Sequence, residues 1–155
     1  MRNTIIILLI SLIAASCGKD KYTTNPQITF KSLKPNRARS DIRNPGDPSV
    51  PLITLNVTDR EGDLGTKSVT EFSKIYIKNL LNNAIDSFPI PDIQSIATKN
   101  FNADILINSF DILGGSSSTR RPRTDTLYFE IYVTDFAKNK SNVIRTPEPI
   151  YYLFP

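Results

Sequence analysis

Three observations make the chain an all-β domain of the sandwich type. Apolar and polar residues alternate with a period of two over several short stretches, which is the pattern of a strand with one buried face. No segment shows a sustained 3.6-residue apolar repeat with caps at both ends. The alternating stretches are separated by runs rich in Gly, Pro, Asn and Asp, residues that favour turns for local backbone reasons. Two packed sheets are the usual all-β solution for a chain of this size.

Taken in order, residues 28–33 (ITFKSL) read as a first short strand, and residues 34–51 as a Pro-rich, charged connection long enough to be mobile. In residues 52–58, Ile53, Leu55 and Val57 alternate with Thr54, Asn56 and Thr58. Ile75 and Ile77 alternate with Lys74, Tyr76 and Lys78 in a further strand, and Ile105 and Ile107 with Asp104 and Asn108 in another. Between these, residues 79–85 (NLLNNAI) have the composition of a helical turn. The clearest alternation covers 126–134, with Leu127, Phe129, Ile131 and Val133 on one face, and this segment is expected as one central strand. A last strand is expected within 140–146, ending where Pro147 and Pro149 withdraw backbone donors.

Ahead of the domain stand a basic start (MRN), a run from residue 5 to 15 that is apolar apart from Ser11, and the small residues Ala14, Ala15 and Ser16 directly before Cys17. That order is the order of a cleaved export signal, and the run is shorter than the ~20 apolar residues a spanning helix needs. Residues 15–17 resemble the bacterial lipobox, with Ala14 where that motif usually carries Leu. The resemblance implies cleavage between Ser16 and Cys17, acylation of Cys17, and anchoring by several acyl chains at about 0.8 kcal/mol per buried methylene. Gly18-Lys19-Asp20-Lys21 is similar to the charged tether of lipoproteins from Bacteroidota-type bacteria, which implies an outer-membrane location, at the periplasmic face or the cell surface. The expected division is therefore a signal peptide (1–16), a lipidated, flexible tether (17–27) and one domain (28–155).

Composition narrows the chemistry. The 155 residues contain one Cys and no His, which excludes intrachain disulfides, Cys-rich zinc sites and every His-based catalytic arrangement. The net charge of +4 is spread along the chain, with Arg120, Arg121 and Arg123 as the one tight group, so a nucleic-acid partner is not expected. Residues 114–121 (GGSSSTRR) lack the spacing of a phosphate loop and read as a flexible hairpin connection whose arginines suit acidic lipid head groups or glycans. Ser109 and residues 116–118 have no histidine to activate them, and the absence of Trp removes the usual aromatic platform of a glycoside hydrolase. The expectation is a non-enzymatic binding or structural module.

Two loops carry candidate metal ligands. Asp59, Glu61 and Asp63 alternate in a loop containing Gly62 and Gly65; carboxylates at such spacing can converge on Ca²⁺, which takes six to eight oxygens. No flanking helix or distal Glu makes this an EF-hand. The loop resembles the Asp-x-Asp-Gly-Asp-(Leu/Ile)-Gly stretch of small Bacteroidota lipoproteins with immunoglobulin-like domains, with Glu61 at the middle acidic position, and more distantly the Asp-Arg-Glu of cadherins. Residues 133–142 are similar to the Asp-x-Ala-Gly-Asn-x-Ser turn of bacterial immunoglobulin-like and fibronectin type III-like repeats, with Lys138 in place of the glycine. Residues 125–131 resemble the penultimate strand of immunoglobulin-like domains, with Phe129 at the usual tyrosine position and Ile131 at the usual cysteine. In a sandwich of that kind the loops after 52–58 and 126–134 leave at one end, which would bring Asp59, Glu61, Asp63 and Asp135 together; the same residues also suit ordinary polar turns. A second reading is a carbohydrate-capture accessory of a polysaccharide uptake system, with Tyr128 and Tyr132, and Tyr76 beside them, offering a surface for a glycan or protein ligand.

Overall fold

The computed structural model describes residues 21–68, 70, 72–91 and 99–155. The leader, Cys17 and the first tether residues lie outside the described residues. Among the described residues there are ten strands: β1 Gln27–Lys34, β2 Arg37–Arg39, β3 Leu52–Asp59, β4 Lys74–Asn79, β5 Ile85–Pro89, β6 Phe101–Asn108, β7 Arg123–Leu127, β8 Phe129–Thr134, β9 Ile144–Arg145 and β10 Ile150–Phe154, with a short 3-10 turn at Phe110–Ile112. They form sheets in the orders β1-β3-β6, β5-β4-β8-β9 and β2-β10-β7, antiparallel except where β10 runs parallel to β2.

The alternation seen in sequence becomes burial. Ile53, Leu55 and Val57 of β3, Ile75 and Ile77 of β4, and Phe129, Ile131 and Val133 of β8 all enter one core, because side chains two apart on a strand share a face. All three sheets contribute to it, with Leu33 from β1, Ile107 from β6 and Ile150 from β10. The result is an all-β sandwich. Among the described residues no helix is long and apolar enough to cross a membrane.

Four expectations change. Residues 79–85 are not a helical turn but the tight link of the β4–β5 hairpin, closed by the Asn79 N–H donating to the Ala84 carbonyl at 2.8 Å, with Asn83 at φ 59°. Asparagine takes this left-handed conformation at low cost, which explains an Asn-Asn pair that reads equally well as helix. Residues 126–134 do not form one strand: the chain leaves its first sheet at Tyr128, so that β7 pairs with β10 while β8 pairs with β4 and β9. The inward alternation runs unbroken through the switch, and periodicity alone cannot reveal it. The final strand is not within 140–146, where only the two-residue β9 forms; it is β10, beyond Pro147 and Pro149. Residues 34–51 contain β2, held between the chain turns by β10.

Candidate metal site

β3 ends at Asp59 and β8 ends at Thr134, one residue before Asp135. β3 and β8 lie in different sheets, yet the loops that follow them meet at a shared end of the sandwich, where the Phe136 N–H donates to the Asp63 carbonyl. One carboxylate oxygen from each of Asp59, Asp63 and Asp135 lies within 4.8 Å of the others. Asp59 and Asp135 are fully buried.

The local chain explains this convergence. Asp59 Oδ2 accepts the Gly62 N–H at 2.6 Å, which folds the loop back on itself, and Gly62 and Gly65 take φ values of 71° and 107° that side chains rarely adopt. Leu64 sits between them with no exposed surface, pinning the loop to the core. The Asp63 carbonyl then accepts the Phe136 N–H at 3.0 Å, joining the first loop to the second. In the second loop, Asp135 Oδ1 and Oδ2 accept the Asn139 backbone and side-chain N–H groups at 2.7 and 2.8 Å. Lys138 adopts φ 68°, a left-handed conformation that glycine favours, and its Nζ donates to the Phe72 carbonyl at 3.0 Å.

The electrostatics are unfavourable as they stand. Asp59 Oδ1 and Asp63 Oδ1 are buried and accept no hydrogen bond from the described residues, although buried polar atoms are nearly always paired. Burial pushes the Asp59 carboxyl above its ordinary range, against the pull of the Gly62 N–H. Asp63 is pushed up to about 6, first by burial and then by the charges of Asp135 and Asp59. A cation among the three oxygens would supply the missing partner and remove the repulsion.

Glu61, expected in the set, is not brought into it: its Oε1 pairs with the Arg60 guanidinium at 2.6 Å, outside the three-aspartate group. The three tyrosines fall in two places, Tyr76 and Tyr132 together along one shallow hollow and Tyr128 apart from them. Tyr132 stacks on Tyr76 at 4.7 Å between centroids with 11° between planes, and Lys140 Nζ lies 4.0 Å from the Tyr132 centroid. Tyr128 stands at the sheet switch, with the Arg145 guanidinium 4.8 Å from its ring centre. Each ring thus has a face covered by another side chain of the protein.

The sequence reading misses how the tether meets this end. Arg60 N–H donates to the Thr23 carbonyl at 3.1 Å, and the Arg60 carbonyl accepts the Asn100 N–H at 2.8 Å; Asn100 Oδ1 accepts the Lys21 N–H at 3.2 Å. Asn142, after the second loop, exchanges two hydrogen bonds with the Ile28 backbone at 2.7 and 2.9 Å. Residues 21–23 are therefore tied to Arg60 in the first acidic loop and to Asn100 and Asn102 beside it, in place of the free spacer that the composition predicts. No family model, curated protein or solved structure matches the chain, so the function has to be argued from this geometry.

Proposed function

We propose that the protein is a lipid-anchored lipoprotein of the outer membrane whose immunoglobulin-like β-sandwich is a non-enzymatic binding or structural module, stabilised at its tether-proximal end by Ca²⁺. The leader and Cys17 support the anchoring. One observation carries the calcium: Asp59 and Asp63, each with a buried carboxylate oxygen that has no donor among the described residues, join Asp135 in a group in which one carboxylate oxygen from each residue lies within 4.8 Å of the others. The fit is chemical as well as spatial, since an all-oxygen, carboxylate-rich set suits a hard cation, with the remaining positions left for further oxygens. A glycosidase pair needs two carboxyl groups about 5–10 Å apart across a cleft, and acids drawn to one point do not supply that.

Thermal unfolding with millimolar Ca²⁺, then with chelator, tests the reading. A ligand present at a hundredfold excess over its Kd adds about 2.7 kcal/mol to the folded state, and each kcal/mol is worth roughly 2–4 °C in a domain of this size. A rise of roughly 5–10 °C that Asp63→Asn removes is expected. An unchanged midpoint at all calcium concentrations would leave the three aspartates as turn residues.

A further inference from the structure

Strand register fixes what the outward face of the β5-β4-β8-β9 sheet presents. Across β4 and β8, Lys74 lies opposite Thr134, Tyr76 opposite Tyr132 and Lys78 opposite Glu130. On the other side of β8, Lys140 lies opposite Thr134 and Arg145 opposite Glu130, while on β5 Ile85 lies opposite Lys78 and Ser87 opposite Tyr76. Directly paired residues share a side of the sheet, and the residues between them, Ile75, Ile77, Ile131 and Val133, enter the core. Lys74, Lys78, Lys140 and Arg145 therefore stand on one face, at the corners of a rectangle of about 10 by 13 Å, two strand spacings by four residues. The stacked Tyr76 and Tyr132 rings occupy its middle.

The fold itself does not account for this face. Its four cations have one carboxylate among them, Glu130, and none of the four makes an ion pair or a side-chain hydrogen bond among the described residues. Lys140 and Arg145 rest on the rings of Tyr132 and Tyr128, contacts that leave their N–H groups unused. The apolar side chains are gathered in the same place. Ile85 and Val143, 68% and 50% exposed, wall a shallow hollow of about 140 Å³ with Tyr76 and Tyr132, beside Lys78 and Lys140. Single exposed apolar residues are ordinary, whereas an apolar centre with a charged rim is the anatomy of an interface.

Charge and shape select the occupant. Four cations with one counter-charge call for an acidic ligand. A sugar ring needs an open aromatic face, but Tyr132 is in contact with both Tyr76 and Lys140; Ile85 and Val143 suit an aliphatic side chain instead. Addition of a strand at the β5 edge is hindered, since the Ser87 N–H is taken by Asp86 Oδ1 at 2.7 Å and Pro89 has none. We propose that this face binds an acidic segment of a partner protein, with one apolar side chain in the hollow and carboxylates three to four residues apart against the corner cations. An extended chain covers about 10–13 Å in that many residues. The inference rests on the reading of the domain as a binding module, but on neither the anchor nor calcium.

The test is calorimetric titration of the full-length protein, in detergent with chelator at physiological salt, with a short peptide of Asp and Glu around one central Leu. Saturable binding is expected by millimolar peptide, weakening as salt rises. It should fall at least tenfold when the acids become Asn and Gln, and at least threefold when the Leu becomes Ser. Val143→Glu, which puts an acid in the hollow, and Lys78→Ser/Lys140→Ser should each bind at least tenfold more weakly. Arg37→Ser/Arg120→Ser, which removes equal charge from elsewhere, should bind like the parent. Should Val143→Glu fail to fold, Ile85→Glu carries the same expectation. Equal losses in the two double variants, a neutral peptide that binds as well as the acidic one, or no binding at millimolar peptide would overturn the proposal. So would tighter binding of polygalacturonate or of anionic vesicles that Val143→Glu removes, which would assign the face to a glycan or a membrane. Failure of the calcium reading would appear separately, as a melting midpoint that calcium leaves unchanged.

Discussion

Replacing Asp63 by Asn should stabilise the metal-free protein at neutral pH, the reverse of what altering a packed loop residue ordinarily does. In the folded state the Asp63 carboxyl is pushed from 3.8 up to about 6, and each unit of such a difference is 1.36 kcal/mol between protonation states. About two units give roughly 3 kcal/mol of destabilisation by the ionised form at pH 7.5, an upper figure because the residue keeps some solvent contact. The sign follows from proton binding: between pH 4 and 6 the folded state holds a proton that the unfolded chain releases, so stability falls as pH rises through this window and then levels off. Asn avoids the charge and brings an N–H₂ beside the unpaired Asp59 Oδ1, so a gain of about 1–3 kcal/mol is expected at pH 7.5 in chelator, shrinking towards pH 5. Ca²⁺ should produce the mirror image in the parent protein, a small gain at pH 5 and a large one at pH 7.5, since protons compete for the same oxygens. Urea denaturation across pH 5–7.5, with chelator or calcium, reads both effects. A parent stability that climbs with pH through 6 in chelator, together with an Asp63→Asn protein less stable than the parent at pH 7.5, would refute the reasoning.

Other perturbations follow from the same geometry. Cys17→Ala should abolish fatty-acid labelling in cells, and persistent labelling would sink the lipobox assignment. At Gly115 an added Cβ would stand 2.3 Å from Phe154 Cζ and 2.7 Å from Asp125 Oδ2, so Gly115→Ala should cost about 1–3 kcal/mol by chemical denaturation; a neutral result would mean that the Phe154 ring swings away freely. Leu64→Ala removes a fully buried side chain and should cost about 2–5 kcal/mol while weakening calcium binding in titration, because Leu64 sets the position of Asp63. Calcium should slow amide exchange at Arg60, whose N–H is held by Thr23, and exchange there that is identical in calcium and chelator would separate the tether from the site.

The fold was legible where one physical signal dominates. In β3, β4 and β8 the outward residues are polar or amphipathic and the inward ones are β-branched, Leu or Phe, so strand, face and burial all follow from alternation. It was illegible where the deciding interaction is distant in sequence. The passage of the chain from one sheet to another at Tyr128 changes partners without changing the inward-outward rhythm, and β10 follows two prolines that, taken locally, end a strand rather than precede one. Its pairing with β7 antiparallel and with β2 in parallel is a tertiary fact that no window around Ile150 contains.

The acidic site divides along the same line. Asp59 and Asp63 were readable because Gly62 and Gly65 mark a loop that must bend back, and Asp135 because Lys138 and Asn139 stand in a turn that needs a left-handed position, taken by Lys138 at φ 68°. Glu61 shows the limit of spacing as evidence: in an extended chain residues two apart share a face, but Gly62 at positive φ breaks the alternation and leaves Glu61 with Arg60. The burial that makes the remaining three acids unusual comes from Leu64 and from the meeting of the two loops through the Asp63 carbonyl and the Phe136 N–H. Those contacts place charges where water cannot reach two of their oxygens. A turn needs aspartate only for its hydrogen bonds to backbone; an oxygen of the same carboxyl, buried and unpaired, contributes nothing to the turn and costs free energy on every folding event unless something positive accompanies it.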